Sequence, residues 1–213
     1  MTQILGNASD NILIGNLTVA TNETIKGFAG NDRLEGIGGN DTLLGGKDDD
    51  YLFGGVGNDL LSGDGDSIIR NSNGTYSLNS NADKGNDILI GGRGADVLVA
   101  WGDDTLVGGG TNRFNSQLIT DLGNDPSATS ILRDQQRDTF VAINKDQVGY
   151  TLTIADYEIG IDRLDLRAFG VRSVNDFLEI QDKGSYFELK TPIVNSAELV
   201  LRINANPFNV TYI

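Results

Sequence analysis

Gly27-Phe28-Ala29-Gly30-Asn31-Asp32-Arg33-Leu34-Glu35 is followed without a gap by three more blocks of nine, Gly36 to Leu44, Gly45 to Phe53 and Gly54 to Ser62. Each block has Gly first, Asp sixth and Leu eighth. Asp32, Asp41, Asp50 and Asp59 therefore recur every nine residues, as do Leu34, Leu43, Leu52 and Leu61. A Gly- and Asp-rich composition does not place three residue types at fixed positions four times running, so the period implies a solenoid. Positions seven to nine set one inward side chain between two outward ones, the pattern of a short strand. Positions one to six are rich in Gly, Asn and Asp, which supply and tolerate the positive backbone angles of a turn. Two strand-turn units make one coil of eighteen residues, a flattened right-handed roll with two thin sheets and a Leu core.

Like positions one coil apart stack. Asp32 then lies over Asp50 along one edge and Asp41 over Asp59 along the other, at the inter-strand spacing of about 4.8 Å. Carboxylates that close repel unless a cation sits between them. Hard oxygen ligands mixed with turn carbonyls suit Ca2+, whereas the smaller, stricter shell of Mg2+ suits them less. A disordered acidic tract is the plain alternative. It has no use for a buried Leu every nine residues.

The blocks Gly36-Ile37-Gly38-Gly39-Asn40-Asp41-Thr42-Leu43-Leu44 and Gly54-Gly55-Val56-Gly57-Asn58-Asp59-Leu60-Leu61-Ser62 resemble the calcium-binding nonapeptide of RTX (repeats-in-toxin) proteins. The resemblance implies an all-β fold, a calcium-binding parallel β-roll with a C-terminal β-rich cap. It implies Ca2+ held by the sixth-position Asp and by backbone carbonyls of the Gly-rich half, here Gly27, Gly36, Gly45, Gly54 and Gly91. It also implies secretion by a type I route. The sequence departs from the motif where Phe28 and Ile37 replace the second Gly and where Asp48 replaces the fourth-position Gly.

The net charge of -14 disfavours nucleic acid and anionic membranes as partners. With neither Cys nor His, disulfides, zinc sites and Ser-His-Asp or Cys-His chemistry are excluded as ordinary options. The start, Met1-Thr2-Gln3, has no basic region or long apolar run, so neither a cleaved signal nor a membrane span is expected. Weak calcium sites work at extracellular rather than cytosolic calcium, which points outward.

Residues 1–26 read as degenerate capping coils, with Asn11 and Glu23 at position six; 27–66 form the first half of the roll. Residues 67–81 break the register and read as an excursion, a hairpin laid along the roll; Asp64 and Asp66 at its start offer a metal pair, although a lone acidic pair is more often solvated, which is the reading taken. The roll resumes over 82–110 with Asp87, Asp96 and Asp104, the last at a spacing of seventeen instead of eighteen. In this half the outward positions (Ile88, Ile90, Val97, Val99, Val107) are apolar. They need a cover, either the excursion and the C-terminal segment or a partner, including a second copy of the chain.

Residues 111–213 form the C-terminal capping and secretion-type region. Asp138 to Val141 fit positions six to nine of one more, terminal coil plugged by Phe140. Five strands are expected, at Thr139–Ile143, Tyr150–Ile154, Phe177–Ile180, Tyr186–Leu189 and Leu199–Ile203. The stretch Ile154 to Leu166 resembles the segment that follows the repeats in many RTX proteins. Within it, Asp162 and Asp165 offer a further metal pair, or Asp162 caps a turn and Asp165 pairs with Arg163 or Arg167.

Every regularly placed Asp has a metal to hold, so none stands out as a catalyst and no enzyme is expected. A polysaccharide-modifying solenoid would need an aromatic and acidic groove, and Tyr51 with Phe53 is too little. The reading is a secreted or cell-surface structural, adhesion-type module. The alternative is the export and folding module of a type I secreted effector.

Overall fold

The computed structural model describes residues 2–18, 20–79, 84–109, 135–144, 149–184, 186–192, 198–204 and 207–213. Among the described residues, eighteen strands build two facing sheets and one small hairpin. In the first sheet, β1 (Thr2–Leu5), β3 (Glu23–Ala29), β5 (Thr42–Lys47), β7 (Leu60–Asp64), β11 (Val97–Ala100), β13 (Thr139–Ala142) and β15 (Arg163–Asp165) lie side by side in that order, all parallel. The second sheet runs β2 (Ile12–Ile14), β4 (Arg33–Gly38), β6 (Tyr51–Val56), β10 (Ile88–Arg93), β12 (Thr105–Gly109), β14 (Tyr150–Ile154), β18 (Leu199–Ile203). It is parallel to that point and closes with an antiparallel pair, β17 (Phe187–Lys190) and β16 (Glu179–Asp182). Through the repeats the chain alternates between the sheets, one nine-residue block to each. The structure is all-β with repeat-spaced parallel strands, a β-roll.

The nine-residue period sets the register. Ile4, Ile25, Leu43, Leu61, Leu98, Phe140 and Leu164 pair in sequence across the first sheet. Leu13, Leu34, Leu52, Leu89, Leu106 and Ile154 do so across the second. Apart from the partly buried Ile4 and Leu13 at the first coil, all these side chains have no exposed surface. Phe140 fills position eight as expected, but its coil is not terminal: Leu164 stacks beyond it. β15 is the strand that the alternation pattern missed, because it is only three residues long. The five expected C-terminal strands are present, the one expected at Phe177–Ile180 two residues later. Phe140, Tyr150, Leu152, Leu189, Leu199 and Leu201 join the core of the roll, while Leu178 is 66% exposed.

β8 (Ile68–Arg70) and β9 (Tyr76–Leu78) form the expected hairpin, turned at Gly74, whose φ is +79°. Its Leu78 is buried in the same cluster as Val99, Val141 and Ile143, and Arg167 donates to the carbonyls of Asn73 and Gly74. The end of the expected excursion (Ser80, Asn81), the block start Ala82-Asp83, Gly110 and most of 111–137 lie outside the described residues. Across the excursion the roll closes up as though nothing had been inserted. Tyr51 pairs with Ile88 and Leu60 with Val97.

The cover expected over the outer apolar rows is present, and it extends to the first half of the roll. Position nine points outward but is not open: Glu35, Leu44, Phe53, Ser62, Ile90, Val99, Val107 and Val141 are all 5% exposed or less. Phe53, Ile90, Val107 and Ala155 form a second apolar cluster, with Tyr51 and Ile88 packed against it. The apolar rows of the second half are thus buried within one chain, and only position seven, including Ile88 and Val97, stays half-buried. At the other end the capping coils leave apolar surface open, with Ile12 71%, Leu17 65% and Leu5 53% exposed.

The motif departures carry backbone strain. Phe28 (φ +86°), Ile37 (+78°) and Asp48 (+71°) occupy turn positions where the regular blocks have Gly at +112° to +139°. A β-branched residue there is a genuine outlier, and such strain costs about 1–3 kcal/mol. Ile37→Gly is therefore expected to raise the stability of the calcium-loaded chain by about 1 kcal/mol, once the extra chain entropy of Gly is subtracted. A chemical melt at saturating calcium checks this; a loss of stability would mean that the Ile37 side chain contributes more than its backbone costs.

Candidate metal centre

Turns from the first sheet to the second gather at one edge of the roll and return turns at the other. The sixth-position residues form a ladder at each edge. On one edge the backbone N–H of Asn11 donates to Asp32 Oδ1 (2.7 Å), that of Asp32 to Asp50 (2.8 Å), that of Asp50 to Asp87 (2.7 Å) and that of Asp87 to Asp104 (2.9 Å). On the other, Glu23 donates to Asp41 (2.7 Å), Asp41 to Asp59 (2.7 Å), Asp59 to Asp96 (2.7 Å), Asp96 to Asp138 (2.8 Å) and Asp138 to Asp162 (3.0 Å). The backbone carbonyls of Asp32, Asp41, Asp50, Asp59, Asp87, Asp96 and Asp104 accept the position-seven N–H of the next coil, at 2.8–2.9 Å.

That pattern spends one carboxylate oxygen and leaves the other. Glu23 Oε2 and the Oδ2 atoms of Asp32, Asp41, Asp50, Asp59, Asp64 and Asp87 are buried with no hydrogen-bond partner. A buried charge without a partner is strongly unfavourable. Burial accordingly raises the carboxyls: Asp41 to about 6, Asp59 to about 7, Asp50 to about 8, and Asp87 well above its ordinary value. Burial is the largest cause in each, and the like charge of a neighbouring ladder carboxylate adds to it.

The first-position glycines exist for these oxygens. A Cβ at Gly27, Gly36, Gly45, Gly54 or Gly91 would collide with the carboxylate of Asp32, Asp41, Asp50, Asp59 or Asp96 in its own turn. It would also come within 2.5–2.6 Å of the carbonyl of the first-position Gly one coil on. The turn is therefore a close, all-oxygen cradle, the donor set of a hard cation.

Two features escaped the sequence, the position-five ladder and the burial of Asp64, whereas Asp138 takes the position-six place read for it. Position five forms its own exposed ladder: Asn40 N–H donates to Asn22 Oδ1, Asn58 to Asn40 and Ala95 to Asn58. The Asn of each block was legible only as a turn residue, and the coil-to-coil bond needs the stacking to be seen. Asp138 extends the edge, and burial raises its carboxyl to about 9. Asp64, expected in solvent, is 1% exposed and faces Asp87 and Asp104, each also 1% exposed; one carboxylate oxygen of each lies within 4.8 Å of one from both others.

Asp162 and Asp165 have different roles. Asp162 continues the ladder, its two oxygens accepting the N–H groups of Asp138 and Glu158. The Asp165 carboxylate is held by the Arg167 guanidinium, Nε at 2.8 Å and Nη2 at 2.7 Å. Asp156 also has both oxygens occupied, by Gly108 and Gly109 N–H.

Fold and site together define a parallel β-roll with carboxylate ladders along its turn edges. Residues 20–42, 35–67 and 81–114 match the family model of the RTX calcium-binding nonapeptide repeat (4 copies), so the chain carries RTX calcium-binding repeats over 20–114. The repeat is a non-catalytic structural element, and its ion is calcium. No curated protein matches the chain. Among the described residues no helix is long and apolar enough to cross a membrane.

Proposed function

We propose that Ca2+ binds between successive coils through Asp32, Asp41, Asp50, Asp59, Asp87, Asp96 and Asp104, together with backbone carbonyls at Gly27, Gly36, Gly45, Gly54 and Gly91, and that this binding folds the roll. The observation that carries the reading is the recurrent unpartnered Oδ2, buried beside a first-position Gly in turn after turn. Asp41→Ala removes one such oxygen from the middle of an edge and leaves Asp59 facing the gap. Calorimetry is expected to show one site fewer or at least a tenfold weaker one, roughly 1.4 kcal/mol. Unchanged stoichiometry and affinity would defeat the assignment.

The biological role that fits is a secreted or cell-surface structural, adhesion-type module, reached by a type I route. Ladders of two-carboxylate sites suit millimolar calcium, and RTX repeats are consistent with extracellular proteins. Half-folding in the high-micromolar to millimolar range supports that reading, and a submicromolar midpoint would overturn it. A homo-oligomeric or surface partner through the outer apolar rows has little left to bind, since Ile90, Val99 and Val107 are buried within the chain.

A further inference from the structure

Asp64 is the residue that the repeat does not explain. It ends β7 at the second turn position, where the other turns carry Gly46, Gly55 and Gly92 or the departures Phe28 and Ile37. There the chain leaves the roll for the β8–β9 hairpin, and it returns through Gly85 to Asp87. Asp64 Oδ1 accepts the Gly85 N–H at 3.0 Å, bridging departure and return. Asp87 Oδ1 accepts from Asp50, and Asp104 accepts from Asp87 and, through Oδ2, from the Trp101 backbone N–H at 3.1 Å. Asp64 Oδ2 and Asp87 Oδ2 remain, buried and unpartnered. A Cβ at Gly63 would collide with the Asp87 carboxylate, so the backbone leaves that space to oxygen alone.

We propose that Asp64, Asp87 and Asp104 form a three-carboxylate divalent-cation site that clasps the neck of the excursion. It takes one ligand from the departing strand, one from the returning turn and one from the coil beyond. The proposal rests on the calcium reading of the ladder and goes beyond it in Asp64, which supplies a carboxylate where the repeat supplies none. The charge around it calls for a cation. The Lys84 ammonium, 5.6 Å from the Trp101 ring centroid and 5.2 Å from that of Tyr150, adds one positive charge near Asp104. Asp103 and Asp50 add negative charge beside the three carboxylates, so Lys84 alone does not offset them. A third carboxylate makes this site fill before the two-carboxylate rungs, and the metal then pins the hairpin whose Leu78 is packed against the core.

The chain has one tryptophan, and it is at this site. Terbium, an oxygen-seeking ion that replaces calcium, can therefore be read by emission sensitised through Trp101, excited at the red edge where tyrosine does not absorb. In the full chain, that emission is expected to rise in the first phase of a terbium titration and to be displaced by calcium. Asp64→Asn is expected to weaken this phase at least tenfold, while Asp182→Asn, at an exposed carboxylate of β16 outside the ladder, leaves it in place. An Asp64→Asn chain that folds with calcium and keeps the first phase unchanged overturns the clasp but leaves the ladder standing. If the wild-type chain neither folds with calcium nor binds it, the ladder reading itself fails. Should only Asp64→Asn fail to fold, the wild-type titration decides: sensitised emission that appears with the last-filled sites overturns the proposal.

Discussion

In excess chelator at neutral pH the chain is expected to lose most of the β circular dichroism of its roll. Calcium should restore it cooperatively, with magnesium at equal concentration far less effective. The cause lies in the turn edges, where buried carboxylates one coil apart leave an oxygen without a partner. Calcium satisfies those oxygens only in the folded form, so stability should rise with the logarithm of free calcium. Protons should substitute in part. The folded carboxyls of Asp41, Asp59, Asp50 and Asp64 stand at about 6, 7, 8 and 9, against 3.8 for the ordinary group. The metal-free folded state therefore binds more protons than the unfolded one between about pH 4 and pH 9, and its stability falls as pH rises through that window. Bringing the chelated sample from neutral to about pH 4 is thus expected to recover β signal, a direction set by the raised ladder carboxyls. Asp176 and Glu179 are shifted downward and oppose it, but they are fewer. A metal-free chain with its full spectrum at neutral pH, its metal content checked by elemental analysis, would show that packing alone holds the roll.

Leu43→Ala is expected to destabilise the calcium-loaded chain by about 2–5 kcal/mol, the range for a buried Leu that leaves a cavity. Leu44→Ala should fall in the same range, although its side chain points to the other face. Both are covered, at 0% and 3% exposed. Ile12→Ala, at an outward position 71% exposed, should change stability by no more than about 0.5 kcal/mol. Denaturant melts of the three variants at saturating calcium check the ranking. A Leu44→Ala cost close to that of Ile12→Ala would mean that position nine is not covered in solution.

The sequence determined the roll itself. Gly, Asp and Leu at fixed places in a nine-residue period specify turn, ladder and core locally. Stacking then repeats one solution, which is why Leu34, Leu52 and Leu89 fell into register without long-range information. It also determined the ladder partners, including Asp87 and Asp104 despite their irregular spacing, because the strand after each Asp fixes its place. Tertiary structure decided whatever depended on segments outside the period. The cover over position nine belongs here: a strand pattern tells which face a side chain is on, not whether that face is wet. Asp162 went to the ladder because the cap folds back along the roll, whereas Asp165 took Arg167, two residues on and one of the two partners legible in the sequence. Asp64 was decided there too. A carboxylate at the mouth of an excursion is solvated if the chain wanders off and buried if it returns beside the next turn. That return spans residues 64 to 85, whose lack of period gave the sequence no means to say where they come back.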